Sequence, residues 1–247
     1  NIREIGTAWR YAVPIHVESI ERNGTGMKFF SDVAQCFTNE KYFSALLEGL
    51  RLTLLISVGA AIIGLFLGTL VALVKLSNQK SGWMKLPHAI CNLYIIVIRG
   101  TLMAVQLFIM AFVIFAIRGF PQLITAILAF GINSGAYVAE NIRAGILSVD
   151  IGQTEAGRAL GLTQGITMRK VIIPQAIKNV IPAIGNELIA LIKETSIVSM
   201  IGMFDLTAAA QNIGSGHNLA SYIAPMMVAA LFYLVIVYAL TLSLIHI

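Results

Sequence analysis

Ionisable and amide side chains occur in two long, largely apolar stretches, and six of them are candidates for contact with a polar solute. They are Asn133, Tyr137 and Glu140 in the first stretch, and Glu187, Lys193 and Glu194 in the second. The first three are spaced i, i+4 and i+7, which places them on one helical face. An amino-acid zwitterion needs an acceptor for its ammonium and donors for its carboxylate, and the two stretches contain both. The structural alternative is that these side chains pair with one another and hold two helices together.

The chain has no motif for catalysis or for ATP binding. It contains no G-x-x-x-x-G-K-[ST] phosphate loop. The four histidines are scattered, and Cys36 and Cys91 form neither a disulfide framework nor a metal-ligand pattern. No pairing of a nucleophile with a base indicates a membrane-embedded enzyme. We therefore expect a non-enzymatic chain without a metal or cofactor of its own.

A second polar segment, residues 147–174, has the composition of two short helices. Gly161 is placed to end the first helix, because glycine readily takes the left-handed conformation after a helix. Thr163 can cap the second helix, and Pro174 bends its continuation. A polar helix-turn-helix between membrane spans must face water, so we interpret it as a docking element for a soluble partner. The alternative is a solvated connector.

Composition indicates an all-α, polytopic membrane protein. The sequence is 57% hydrophobic and only 12% charged, with a mean hydropathy of +0.83, whereas soluble domains carry about 25% charged residues. Uncharged runs long enough to cross a bilayer must be helical. We predict five spans, with a semi-polar helix over residues 87–98 before the second. The spans are residues 46–74, 101–117, 121–142, 175–201 and 221–242.

Basic residues orient the predicted spans. They cluster in the loops after the first and third spans, which the positive-inside rule places in the cytoplasm. The opposite loops contain only Arg118 and Asp205 as charged residues. We therefore expect the N-terminus outside, the C-terminus inside and residues 147–174 in the cytoplasm, with Arg99 as an interface anchor. The net charge of +5 lies in these short loops, so we expect no nucleic-acid partner. The clustered basic residues are Lys75, Lys80, Lys85, Arg143, Arg158, Arg169, Lys170 and Lys178.

The polar loop resembles the EAA loop of ABC-transporter membrane subunits, in which the loop holds the ATPase. The matching positions are Glu155, Ala156, Gly161 and Pro174, with Gly157 where the motif has its third alanine. Gly157 lowers helicity but allows close approach of a partner surface. These five residues are the predicted ATPase-coupling positions.

From about residue 42 to residue 240 the chain resembles the permease subunits of polar amino-acid ABC importers of the histidine/glutamine/arginine family. Leu102 departs from the family pattern, which usually has proline there, so the proline that would impose the kink expected after Thr101 is absent. The other segments that carry the resemblance are Leu47-Glu48-Gly49-Leu50 with Thr53, Arg99-Gly100-Thr101, Gln106-Leu107-Phe108, Asn133 to Glu140, Ile173-Pro174-Gln175-Ala176, Gly185-Asn186-Glu187 and Lys193-Glu194-Thr195-Ser196.

The resemblance implies a type I importer in the bacterial cytoplasmic membrane. Its partners would be an identical or homologous permease subunit, a cytoplasmic ATPase that binds ATP and magnesium, and an extracytoplasmic solute-binding protein. A related ABC permease with another small solute is the alternative, and an ATP-independent secondary transporter is a third. Duplicated inverted halves would favour the last, and the sequence contains no such repeat.

Three further expectations concern packing and the ends of the chain. Ala60, Gly64 and Gly68 form a small-residue stripe that lets helices approach closely; we expect it to pack within the chain rather than against a second copy. We expect residues 1–43 to be an extracytoplasmic segment, partly non-native over residues 1–26. The remaining residues, 44–247, form the transmembrane domain. The sequence ends without a basic tail after residue 242, which suggests a truncated C-terminus.

Overall fold

The computed structural model describes residues 25–77, 84–117, 119–216 and 222–245, and every regular element in these ranges is a helix. Residues 1–24, 246 and 247, on which the expectations about the chain ends chiefly depend, lie outside the described residues, as do Lys80 and Arg118. The helices are α1 (Thr25–Thr38), α2 (Glu40–Leu76), α3 (Lys85–Gly100), α4 (Met103–Ile109), α5 (Gln122–Leu147), α6 (Ile151–Ala159), α7 (Gln164–Thr167), α8 (Ile173–Glu194), α9 (Leu206–Ser215) and α10 (Ile223–Ile245).

Three helices are long and apolar enough to cross a bilayer. They are Glu40–Leu76, Gln122–Leu147 and Ile223–Leu244, which contain most of the first, third and fifth predicted spans. Helix α3 and the segment Met103–Ile114 qualify together as a fourth, bent by 110° at their junction. These helices agree with the predicted all-α, polytopic membrane architecture.

The predicted fourth span is a helix of mixed polarity. It comprises α8 and the 3-10 turn Thr195–Ile201. Because α8 carries Lys178, Glu187 and Lys193 among its apolar residues, it is not one of the three helices that are apolar enough by composition. Its passage through the bilayer stays a prediction.

The small-residue stripe of α2 packs against α5 of the same chain, as expected. A Cβ on Gly64 would lie 2.8 Å from Ser134, and one on Gly68 would lie 2.7 Å from Val138. The numbers rise together along both helices, so α2 and α5 run parallel. Close backbone approach of this kind gives membrane helices their van der Waals contact. The stripe therefore belongs to the core of the chain.

The chain bends sharply between α3 and α4, although Leu102 is not a proline. Thr101 and Leu102 both have extended backbone, with φ of −117° and −69°. The sequence lacks the proline expected to impose this kink, and the chain bends without it. Gln106, four residues after Leu102, donates to the Ile98 carbonyl at the end of α3.

Helix α9 is held against the N-terminal half of α2. A Cβ on Gly49 would lie 2.8 Å from the carbonyl oxygen of Asp205, and the Leu206 N–H donates to Thr53 Oγ1 at 3.3 Å. Asp205 is fully buried and caps α9 by accepting from the N–H groups of Thr207 and Ala208. Burial raises the pKa of the Asp205 carboxyl, while these backbone donors act in the opposite direction. The α2 positions Gly49 and Thr53 therefore make room for this loop.

Candidate functional site

The first arm of the polar loop is helix α6, which ends at Gly161 as predicted. Gly161 has a φ of +77°, a conformation that side chains other than glycine adopt with strain. The Leu162 N–H donates to the Gly157 carbonyl at 3.0 Å, and the Gly161 N–H donates to the Arg158 carbonyl at 2.9 Å. These two bonds form a Schellman motif, which satisfies the last carbonyls of the helix.

The second arm begins at the predicted cap and continues into α8. Thr163 Oγ1 accepts from the Ile166 N–H at 3.5 Å. After α7 the helix widens to i→i+5 bonding over Met168–Ile172, directly before Pro174. Proline has no N–H and displaces the preceding carbonyls, and a π-bulge accommodates this change. Pro174 thus lies where the second arm of the loop passes into α8.

Gly157 is packed within the loop. It is buried, and a Cβ at this position would lie 2.7 Å from Oγ1 and Cγ2 of Thr167. Within the described chain, the surface that approaches Gly157 is the second arm of the same loop. The sequence indicates a close approach at Gly157, but it does not identify Thr167 as the contacting residue, because Thr167 is ten residues away and on another helix.

The outer face of α6 is open. Glu155, Ala156 and Arg158 are exposed, and Ile151 and Leu160 expose 74% and 80% of their surface. Neither ion pair of the described residues involves Glu155. This mixed apolar and charged face is available for contact with another protein.

The loop is also bonded to α5 and α8. Asn179 Nδ2 in α8 donates to Ser148 Oγ at the end of α5, at 2.8 Å. Gln175 donates to Gln153 Oε1 of α6 at 3.4 Å. A Cβ on Gly145 would overlap Val180 of α8. These contacts join α5, the loop and α8 into one unit, so a displacement of α6 would be passed to both α5 and α8.

Asn133 and Tyr137 lie on one face of α5, as predicted, and both are engaged within the chain. Asn133 is 5% exposed, and its Nδ2 donates to Gln106 Oε1 at 3.0 Å. The Arg99 guanidinium carbon lies 5.1 Å from the centre of the Tyr137 ring, within the range of a cation–π contact. Gln106 was not among the predicted site residues, since its role depends on a contact 27 positions along the chain.

Glu140 is paired with cations. Arg143 Nε donates to Glu140 Oε1 at 3.0 Å, and Lys75 Nζ lies 3.8 Å from Oε2. Lys75 comes from the end of α2, so the pair connects the first and third predicted spans, not the third and fourth. Both carboxylate oxygens therefore have a cationic partner within the chain.

Glu187 lies in a cavity of about 220 Å³ between α2, α5 and α8. Its carboxylate is partly buried, and neither ion pair of the described residues includes it. The buried hydroxyl of Ser134 lines the same cavity, whose other walls are apolar, including Ala61 and Val138. A carboxylate without a paired cation in apolar surroundings is costly, and a bound ammonium group would compensate it.

Lys193 and Glu194 do not join this cavity. Both are exposed at the end of α8, and Lys193 lines a groove with Tyr233 and Leu234 of α10. Glu187 and Glu194 lie seven residues apart on α8, as the sequence gives them. Glu194 is the last residue before the 3-10 turn that begins at Thr195, and the cavity does not extend that far. Of the six predicted pathway residues, Glu187 is the one that lines this cavity.

Comparison with known proteins identifies a family of transport components. Residues 89–247 match the family described as binding-protein-dependent transport system inner membrane component. The chain is 43% identical over 199 residues to the arginine transport system permease protein ArtQ of Bacillus subtilis, with 79% of this chain and 87% of that protein covered. It is 41% identical over 194 residues to a putative glutamine transport system permease protein GlnP of Rickettsia bellii, with 78% and 86% covered.

Two solved structures share the fold. One is a chain in the crystal structure of an amino acid ABC transporter with histidines, 43% identical with a TM-score of 0.74, covering 83% of this chain and 92% of that one. The other is a chain of the MetNI methionine ABC transporter in an inward-facing conformation, with a TM-score of 0.68 and coverage of 85% and 97%. Since the latter is only 20% identical, it supports the fold alone.

Proposed function

The chain belongs to the family of binding-protein-dependent transport system inner membrane components, and we propose that it carries a polar amino acid inward across the bacterial cytoplasmic membrane. The relatives named for arginine and glutamine transport support this class of cargo. The structural observation that carries the proposal is Glu187, a partly buried carboxylate that lines a cavity and has no cationic partner among the described residues.

Glu187 would accept the ammonium group of the cargo. The other predicted pathway residues have support roles in this proposal, since Asn133 bonds to Gln106 and Glu140 pairs with Lys75 and Arg143. A single acceptor without a dense set of donors suits a translocation pathway, because a site that bound the cargo tightly would release it slowly. We infer that high affinity resides in an extracytoplasmic binding protein.

The second part of the proposal concerns energy. A cytoplasmic ATPase, which would bind ATP and magnesium, docks on the exposed face of α6. Glu155, Ala156 and Arg158 present the contact surface, while Gly157 and Gly161 shape the loop from within and Pro174 leads it into α8. A second permease subunit, identical or homologous, completes the pathway. In this arrangement residues 147–174 and the C-terminus are cytoplasmic and the N-terminus is outside.

The test is uptake into vesicles that contain the permease together with the ATPase and the binding protein of the same transporter. We expect uptake of a labelled polar amino acid, chosen from arginine, glutamine and histidine. This uptake should require both the binding protein and ATP supplied on the side of the membrane where the ATPase lies. Uptake driven by an ion gradient without ATP would instead identify a secondary transporter. ATP-dependent transport that no amino acid competes would identify another small solute.

A further inference from the structure

Gln106 connects three helical elements, its own helix α4 and the two to which it bonds. Its Nε2 donates to the Ile98 carbonyl at 2.8 Å and to Thr101 Oγ1 at 2.6 Å, at the end of α3. Its Oε1 accepts from Asn133 Nδ2 of α5 at 3.0 Å. Gln106 itself lies in the first turn of α4. One side chain therefore connects the two sides of the 110° break and the helix against which they pack.

The bond to Ile98 replaces one that the break removes. In a continuous helix the Ile98 carbonyl would accept from the N–H of Leu102, four residues later. Leu102 is extended, with φ of −69° and ψ of 133°, and its N–H makes no such bond. A helix end leaves carbonyls without partners, and apolar surroundings offer no water in their place. The Gln106 amide occupies the position of the lost donor.

Among the described residues, the lining of this angle contains two polar side chains. The angle between α3 and α4 encloses a cavity of about 250 Å³, lined by apolar side chains apart from Thr101 and Gln106. Thr101 directs its own hydroxyl to the Val97 carbonyl at 2.8 Å. Gln106 alone therefore supplies the donor for Ile98 and the acceptor for Asn133.

We propose that Gln106 is a positioning residue for transport, which sets the angle of the broken helix and fixes it to α5. The turn of α5 that it holds carries Asn133 and, next in sequence, Ser134, which lines the Glu187 cavity. The role in transport rests on the proposed function, whereas the role in holding the break is a property of the fold alone. A measurement of geometry and a measurement of uptake therefore separate the two.

Replacing Gln106 with leucine removes these side-chain bonds at similar side-chain size, and a second substitution offers a rescue. Proline at residue 102 fits the structure, since Leu102 has the φ that proline requires, Thr101 before it is extended, and no backbone bond is lost. Proline would impose the break without the Gln106 donor. The variants are Gln106→Leu, Leu102→Pro and the two combined, with Gln211→Leu as a control because Gln211 is exposed on α9.

Two readouts are measured in the reconstituted transporter. Spin labels at the exposed positions Leu93 and Val113 report the angle across the break as a distance distribution, and labelled amino-acid uptake reports function. For Gln106→Leu we expect a broadened distribution and uptake reduced by about tenfold, the loss that follows when buried hydrogen-bond partners are left unpaired. The combined variant should recover the narrow distribution and most of the uptake. Leu102→Pro and Gln211→Leu should resemble wild type.

Three results would overturn the proposal. One is a Gln106→Leu variant with a narrow distribution and normal uptake. Another is a combined variant that recovers neither property. The third is recovery of the distribution without recovery of uptake, which would leave Gln106 as a purely architectural residue. If Gln106→Leu does not insert, recovery of insertion in the combined variant supports the proposal and its failure contradicts it. Absence of amino-acid uptake by wild type, with the geometric results intact, would count against the proposed function alone.

Discussion

Gly157 and Thr167 are in direct contact across the polar loop, and a Cβ on Gly157 would lie 2.7 Å from Oγ1 of Thr167. The two arms of the loop are therefore packed against each other before any partner binds. With the Schellman bonds at Gly161 and the bonds from α8 to Ser148 and Gln153, the loop is a preformed unit that can transmit a displacement.

The first prediction tests this contact. Gly157→Ala adds a methyl group where Thr167 lies and should cost about 1–3 kcal/mol of loop stability, as for other overpacked sites. We expect uptake to fall while the amount of inserted permease stays normal. The combined variant Gly157→Ala with Thr167→Ala removes the atoms that collide and should recover uptake. Equal defects in the single and the combined variant would show that the contact is unimportant.

The second prediction concerns the end of α6. Gly161 has a φ of +77° and no atom near its missing Cβ, so any effect of substitution must come from the backbone. Gly161→Val should disturb the turn and uncouple ATP hydrolysis from uptake, with a conformational cost of about 1–2 kcal/mol or more. Gly161→Asn should be milder, because asparagine tolerates this conformation. Uptake and ATP hydrolysis are measured on the same vesicles, and equal behaviour of the two variants would contradict this account.

The third prediction addresses the bond between Asn179 and Ser148, which joins α8 to the end of α5 at 2.8 Å. Asn179→Ala and Ser148→Ala should each weaken the ATPase response to the loaded binding protein. Because both remove the same bond, the double variant should be little worse than either single one. If the effects of the two single substitutions add fully in the double variant, the two residues act independently.

The fourth prediction concerns the cargo. Glu187→Gln keeps the size of the side chain and removes its charge, so the permease should assemble normally while uptake falls by about tenfold or more, as for loss of a charged hydrogen bond. Glu194→Gln, on the same helix but outside the cavity, serves as the matched control and should have a small effect. Capture of the amino acid by the binding protein should be unchanged in both. A Glu187→Gln defect that only follows loss of assembled complex would make Glu187 a structural residue.

The sequence was sufficient for features that depend on neighbouring residues. Gly161 and Thr163 mark the end and the start of the loop helices through their own backbone preferences, and the Ala60–Gly64–Gly68 spacing predicts close packing. Features that depend on distant contacts could not be derived. Nothing near Gly157 indicates that Thr167 fills its missing side chain, and Leu102 alone argues against a break that Gln106 stabilises from the next helix. Likewise, the spacing of Asn133 and Glu140 predicts their positions on α5, but only the structure reveals the side chains with which they pair.

The most direct measurement of the central proposal is cross-linking between the loop and the ATPase. A single cysteine is placed at Ala156, exposed on α6, or at Asn212, exposed on α9, in a chain with Cys36 and Cys91 replaced by serine. Helix α9 packs near Gly49 in the N-terminal half of α2, whereas the loop adjoins the other end of the helix bundle. In the assembled transporter, we predict that a short bifunctional reagent joins Ala156→Cys, but not Asn212→Cys, to the ATPase. Cross-linking from Asn212→Cys alone would show that the membrane orientation of the chain is the opposite of the one proposed. No cross-linking from Ala156→Cys would contradict the loop as the docking site.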